Sequence, residues 1–163
     1  MLSCVHSNLD HVDYLCVNLR DEDEEELKAM NIDGRYALAF PFTQNHSLTF
    51  TILDDETPLA MFGTIPARNN EARIWMLCTN EFQNNYREIC RHARDFIELL
   101  QSSYSTIYNV VPANNKRTIR FLRFCGFQFG EKININDVDF IKFFRCNSFY
   151  NNVNNKESRP VMH

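Results

Sequence analysis

The side chains able to do chemistry lie far apart along the chain, and few of them fall at spacings a reaction would use. The six cysteines, Cys4, Cys16, Cys78, Cys90, Cys125 and Cys146, form no C-x-x-C pair and follow no regular interval. In a reducing compartment such cysteines behave as small buried apolar residues, so neither a disulfide framework nor a redox pair is expected. Cys4, His6, His11 and Cys16 come nearest to a ligand set, but they straddle a strand-to-helix turn without the close pairs zinc uses, and no metal is expected. His92 has no acid or serine placed to complete a triad. Arg87, Arg91 and Arg94 recur at i, i+4 and i+7, a spacing that suits either a solvated helix face or charge-assisted bonds to phosphates.

The charge balance adds little. Asp21 to Glu26 is a run of six acids, and without it the formal net charge of −4 becomes +2. Carboxylates favour the positive end of a helix, so the run reads as a solvated first turn. Between Arg87 and Arg123 seven Lys and Arg face three acids, too modest an excess for nucleic acid, and no nucleic-acid partner is expected. No apolar run approaches the roughly 18 residues of a membrane span, and the N-terminus lacks the pattern of a secretion signal, so the expected location is a cytoplasm. With 163 residues, 44% of them hydrophobic and 13% aromatic, the chain is expected to form one domain with a core of its own.

The elements that must position these residues follow from periodicity. Leu2 to His6 reads as a strand, and Val12, Leu15, Cys16 and Leu19 form a helical stripe. The acid run leads into a second helix that stops near Asn31 and Gly34. Arg35 to Gln44 reads as irregular or as a helix broken at Pro41. Ser47 to Leu53 and Leu59 to Ile65 form a hairpin, and Ala72 to Thr79 a third strand. Phe82 to Leu100 is the clearest helix. Thr106 to Val111 reads as a fully buried strand, Asn115 to Phe124 as a helix closed by Gly126, and Phe127 to Ile135 with Asp137 to Cys146 as a last hairpin. The domain is expected to span 1–146, with 147–163 an Asn-rich flexible tail. This order describes an α+β or mixed α/β protein with helices on both faces of its sheet.

The segment from Asn115 through Arg117, Leu122 and Cys125 to Gly126-Phe127 resembles the N-x-x-A-x-x-L-Y-x-x-x-G-F segment of the GNAT superfamily of acyl-CoA N-acyltransferases. A closer resemblance is to the GNAT-like internal virion protein A group of short-tailed phages and prophages. It is carried by Leu19-Arg20-Asp21-Glu22-Asp23, Met61-Phe62-Gly63, Trp75-Met76-Leu77-Cys78-Thr79, Tyr108-Asn109-Val110-Val111 and Asn115 to Phe127, covering about residues 1–146. The resemblance implies a mixed, mostly antiparallel central sheet splayed between the Ala72 to Thr79 and Thr106 to Val111 strands.

In GNAT enzymes the pantetheine arm of acetyl-CoA lies in that split and pairs with the first strand, which implies cofactor contacts at Met76, Leu77, Cys78 and Thr79. The pyrophosphate rests at the start of the next helix, which implies a contact from Arg87. Asn115 either bonds the pantetheine arm or caps its own helix. Two departures accompany the resemblance. Thr79 to Asn85 holds no glycine where the family places a glycine-rich phosphate loop, and Leu122 stands where many members place a proton-donating tyrosine. Tyr104, Tyr108 and Cys125 are the substitutes on offer, with nothing in the spacing to choose among them. The function implied is that of a phage-type GNAT-fold protein acting in the virion or its assembly, with virion proteins as partners and a degenerate acyl-CoA site. The alternative is an active N-acetyltransferase moving an acetyl group from acetyl-CoA to a primary amine.

Overall fold

The computed structural model describes residues 1–148, so the Asn-rich tail expected at 147–163 falls almost wholly outside the described residues. Asn147 still belongs to the domain, because its N–H donates to Ser105 O at 2.8 Å. The chain runs β1 (Leu2–His6), α1 (Leu9–Cys16), α2 (Asp21–Ala29), α3 (Gly34–Ala39), β2 (Leu48–Asp54), β3 (Thr57–Pro66), β4 (Glu71–Cys78), α4 (Tyr86–Gln101), β5 (Thr106–Pro112), α5 (Lys116–Phe124), β6 (Gln128–Ile135) and β7 (Val138–Cys146).

Local chemistry explains most of the boundaries. Asn8 caps α1 reciprocally with His11: its side chain accepts from the His11 N–H at 3.0 Å, and His11 Nδ1 accepts from the Asn8 N–H. α2 lacks a side-chain cap, and four acids in its first turn answer the helix dipole instead. Of the two residues near which the sequence expects it to stop, Asn31 and Gly34, the end is made by Asn31 at φ 58°, since asparagine tolerates the left-handed region. Gly34 instead opens α3, behind the Asp33 cap. Pro41 cannot continue an α-helix, and the chain tightens into a 3₁₀ turn over Phe40–Thr43.

The long helix begins later than its apolar pattern predicts. Asn80–Asn85 forms a 3₁₀ turn, in which Asn84 and Asn85 donate to the side chain and carbonyl of Glu81. Such local bonds compete with the α-helical ladder, so α4 proper starts at Tyr86.

The seven strands form one sheet in the order β1-β2-β3-β4-β5-β7-β6, and every neighbouring pair is antiparallel except β4 with β5. On one face α1–α3 bury Val12, Leu15, Leu27 and Leu38 against Met61 and Leu77. On the other, α4 and α5 bury Ala93, Leu100, Ile119 and Leu122 against Phe62, Ile74, Ile107 and Val111. The parallel junction is short. β4 and β5 stay in register only for Glu71, Ala72 and Arg73 against Thr106, Ile107 and Tyr108, and then diverge. β5 is therefore not fully buried: Tyr108, Asn109 and Val110 are half-exposed along the opening.

Candidate functional site

The divergence of β4 and β5 leaves a cavity of about 740 Å³, lined from both faces of the sheet. Trp75 and Met76 line it from β4, Asn109 from β5, Phe121 from α5, and Asp23 and Glu26 from α2.

Which main-chain groups face the opening follows from strand alternation. The Thr79 N–H donates to Leu59 O at 2.8 Å, toward β3. The N–H and C=O of Cys78, and by the same period those of Met76 and Ile74, therefore point away from β3, toward the split. Ile74 O is engaged by Asn109 Nδ2 at 2.7 Å, and Asn109 Oδ1 accepts from the Val110 N–H at 2.8 Å, so this side chain stands where the strands part. Cys78 is engaged as well: its N–H donates to Asp23 Oδ2 at 2.7 Å, and its carbonyl accepts from the Arg20 N–H at 2.9 Å. Between these two, Met76 has no β5 residue in register with it. It offers a donor and an acceptor to an extended ligand, as the free edge of a sheet does.

Of the residues expected from the sequence, Met76 and Leu77 line the cavity. Cys78 lies beside the split with its main chain already bonded. Thr79 faces β3, with both its N–H and its hydroxyl donating to Leu59 O. Arg87 is exposed on α4 and outside the cavity lining. Asn115 caps α5, its side chain accepting from the Thr118 N–H at 3.2 Å. Arg94 donates to Phe124 O at 2.8 Å and lies over the Phe124 ring, so this member of the arginine stripe packs α4 on α5. Three other arginines, Arg20, Arg73 and Arg117, line the cavity, and Arg117 sits 3.8 Å from Glu22 and reaches Gln83 at 3.4 Å. Among the three substitutes for a proton donor, Cys125 lines the cavity and the two tyrosines do not, and burial pushes its thiol up to about 12.

Sequence reasoning assigned no role to Arg20, Asp23, Glu26 or Asn109, although three of them lie in segments that carry the resemblance. Asp23 is 2% exposed and pairs with Arg20 Nε at 3.1 Å. Burial raises its carboxyl above the usual range, against the pull of Arg20 and of the Cys78 N–H. Glu26, one turn further, is pushed up to about 8, first by burial and then by Asp23. Among the described residues no hydrogen bond or ion pair reaches its carboxyl, while its carbonyl accepts from the Met30 N–H at 3.1 Å. The signal available in the sequence was the i, i+4 relation of Asp23 to Leu27, which turns both to the same side of α2. Among the described residues no three His, Cys, Asp or Glu side chains gather as metal ligands do, and no helix is long and apolar enough to cross a membrane.

Solved structures share this architecture from end to end. An aminoglycoside acetyltransferase, AAC(6')-Ib, in complex with coenzyme A superposes with a TM-score of 0.66 at 12% identity, over 94% of this chain and 99% of that one. A spermidine N-acetyltransferase from Vibrio cholerae in complex with coenzyme A and spermine gives 0.65 at 15% identity, over 91% and 97%. An acetyltransferase of the GNAT family from Streptococcus pneumoniae gives 0.62 at 8% identity, over 90% and 100%. No family model and no curated protein matches the sequence. The chain has the GNAT acetyltransferase fold, with a seven-stranded, mostly antiparallel sheet and five α-helices among the described residues.

Proposed function

We propose that this protein binds an acyl-coenzyme A, acetyl-CoA in the simplest case, along β4 and transfers the acyl group to a primary amine. The observation that carries the reading is the unpaired Met76 rung over a cavity open to both faces of the sheet. Coenzyme A and acetyl-CoA occupy aminoglycoside acetyltransferases of the same fold, and a spermidine N-acetyltransferase of that fold holds coenzyme A with spermine. In the reaction the amine lone pair forms a C–N bond at the thioester carbonyl, the C–S bond breaks, the sulfur leaves as thiolate, and the proton lost by the nitrogen passes through solvent to the sulfur, giving an amide and free coenzyme A. Leu122 has no proton for that thiolate, so rate enhancement falls mainly on holding the two reactants in line. In this reading Arg117 and the start of α4 receive the coenzyme's phosphates, while Glu26 brings a carboxyl to the cavity from the α2 side.

Thermal unfolding with and without acetyl-CoA tests the reading. Ligand at 100 times its dissociation constant adds about 2.7 kcal/mol, a rise of about 5 to 11 °C for a chain of this size. Acetylation of a primary amine is then the next assay. The absence of any rise at millimolar acetyl-CoA overturns the proposal.

A second reading is favoured by the glycine-free turn after β4 and by the occupied main chain of Cys78. In it the scaffold acts in a phage virion or its assembly without transfer chemistry. That reading expects no response to acetyl-CoA and co-sedimentation with phage particles.

A further inference from the structure

The chain between α1 and α2 touches the end of β4 as a short added strand would. Leu19 bridges Thr79 in antiparallel fashion, the Arg20 N–H meets Cys78 O, and Asp23 accepts the Cys78 N–H. The Arg20 and Asp23 side chains lie against each other and line the cavity, with Arg20 also over the Phe82 ring at 5.6 Å. To Cys78 this segment presents one N–H and one oxygen acceptor. An amide of a pantetheine arm presents the same two groups, and both partners cannot occupy one strand edge.

Resting on the acyl-coenzyme A reading above, we propose that Arg20–Asp23 is a displaceable strap: it fills the second rung of the β4 edge in the empty protein and is released when the coenzyme extends from Met76 to Cys78. The exchange conserves hydrogen bonds at Cys78, since a neutral amide replaces a carboxylate and an N–H. It also returns a buried ion pair to water, which offsets the loss of the strap's own contacts. The pieces allow such a motion. Leu19 is 7% exposed and stays packed in the α1–α3 core, so the moving part begins at Arg20. The far end of α2 is held by Leu27 in the α1–α3 core and by Asn136 Nδ2 donating to Ala29 O at 2.9 Å. The helix can therefore swing at its N-terminus while its C-terminus stays docked.

Amide hydrogen exchange on the full chain, with and without saturating acetyl-CoA, reads the strap directly. In the free protein the Arg20 amide exchanges slowly. With acetyl-CoA bound it is expected to exchange at least tenfold faster while the Met76 amide slows. In parallel, the double variant Arg20→Met, Asp23→Leu is expected to bind acetyl-CoA at least tenfold more tightly, as followed by the fluorescence of Trp75, the sole tryptophan. Binding by the variant alone also supports the strap. Unchanged Arg20 protection beside a newly protected Met76 overturns the strap and leaves the coenzyme reading standing. Failure of both proteins to bind overturns the coenzyme reading and the strap with it.

Discussion

Glu26 is the titrating group whose surroundings make a clear claim about pH. Its carboxyl sits at about 8 in the folded chain against an ordinary 4.5, because burial and the neighbouring Asp23 both disfavour its charge. Between these values the folded protein keeps a proton that the unfolded chain releases, so stability falls as pH rises from about 4.5 to about 8 and levels off above that. Glu26→Gln removes the charge and keeps the shape. At pH 9 the variant is expected to be more stable than the parent by on the order of 1–3 kcal/mol. That is below the full limit of about 1.4 kcal/mol for each pH unit, because the carboxyl faces an open cavity. At pH 5 the two should unfold together. Melting temperatures across this range check it, and parallel curves for the two proteins would show that Glu26 is not the group responsible. Here the sequence was legible only in part. Six acids in a row look like a solvated turn, and most of them are one. That Asp23 turns inward depends on a partner 55 residues away, the Cys78 N–H, which no local pattern contains.

Among the elements, the strands lie close to where the sequence places them, and the start of the long helix departs where side chains bond their own backbone neighbourhood. The hairpins of β2 with β3 and of β6 with β7 follow their turn signals, and Asn136 and Asp137 both adopt positive φ in the second of them. The start of α4 was misplaced because Glu81, Asn84 and Asn85 satisfy one another in a 3₁₀ turn. Gly63 shows a constraint that only the folded sheet reveals. A Cβ there would lie 1.8 Å from the Leu48 carbonyl oxygen of the adjacent strand, an approach backbone cannot relieve without opening the β2–β3 ladder. Gly63→Ala is expected to cost about 3 kcal/mol or more, the upper range for overpacking, measured by denaturant unfolding. A loss below about 0.5 kcal/mol would mean that the two strands do not approach so closely.

For the molecule as a whole, the decisive feature is that β1–β4 and the β5-β7-β6 group meet along a parallel seam of three residue pairs. Both strands were legible in the sequence, β5 as a fully buried run, yet nothing local carried information on how far they stay together. One polar side chain stands where they part. Asn109 donates to Ile74 O and accepts from the Val110 N–H, so it satisfies two main-chain groups that would otherwise face each other unpaired where the strands separate. Asn109→Ala leaves both unbonded and is expected to cost about 1–3 kcal/mol. Asn109→Asp should cost more, although it is nearly isosteric, because it keeps the acceptor for Val110 and sets a carboxylate oxygen against the Ile74 carbonyl. Because the seam borders the cavity, the proposed acyl-coenzyme A site requires both variants to bind acetyl-CoA more weakly than the parent at a temperature where all three are folded. Denaturant unfolding ranks the stabilities, and Trp75 fluorescence reads the binding. If Asn109→Ala unfolds with the parent and binds alike, the strands part for reasons of packing alone and Asn109 is a bystander at the fork.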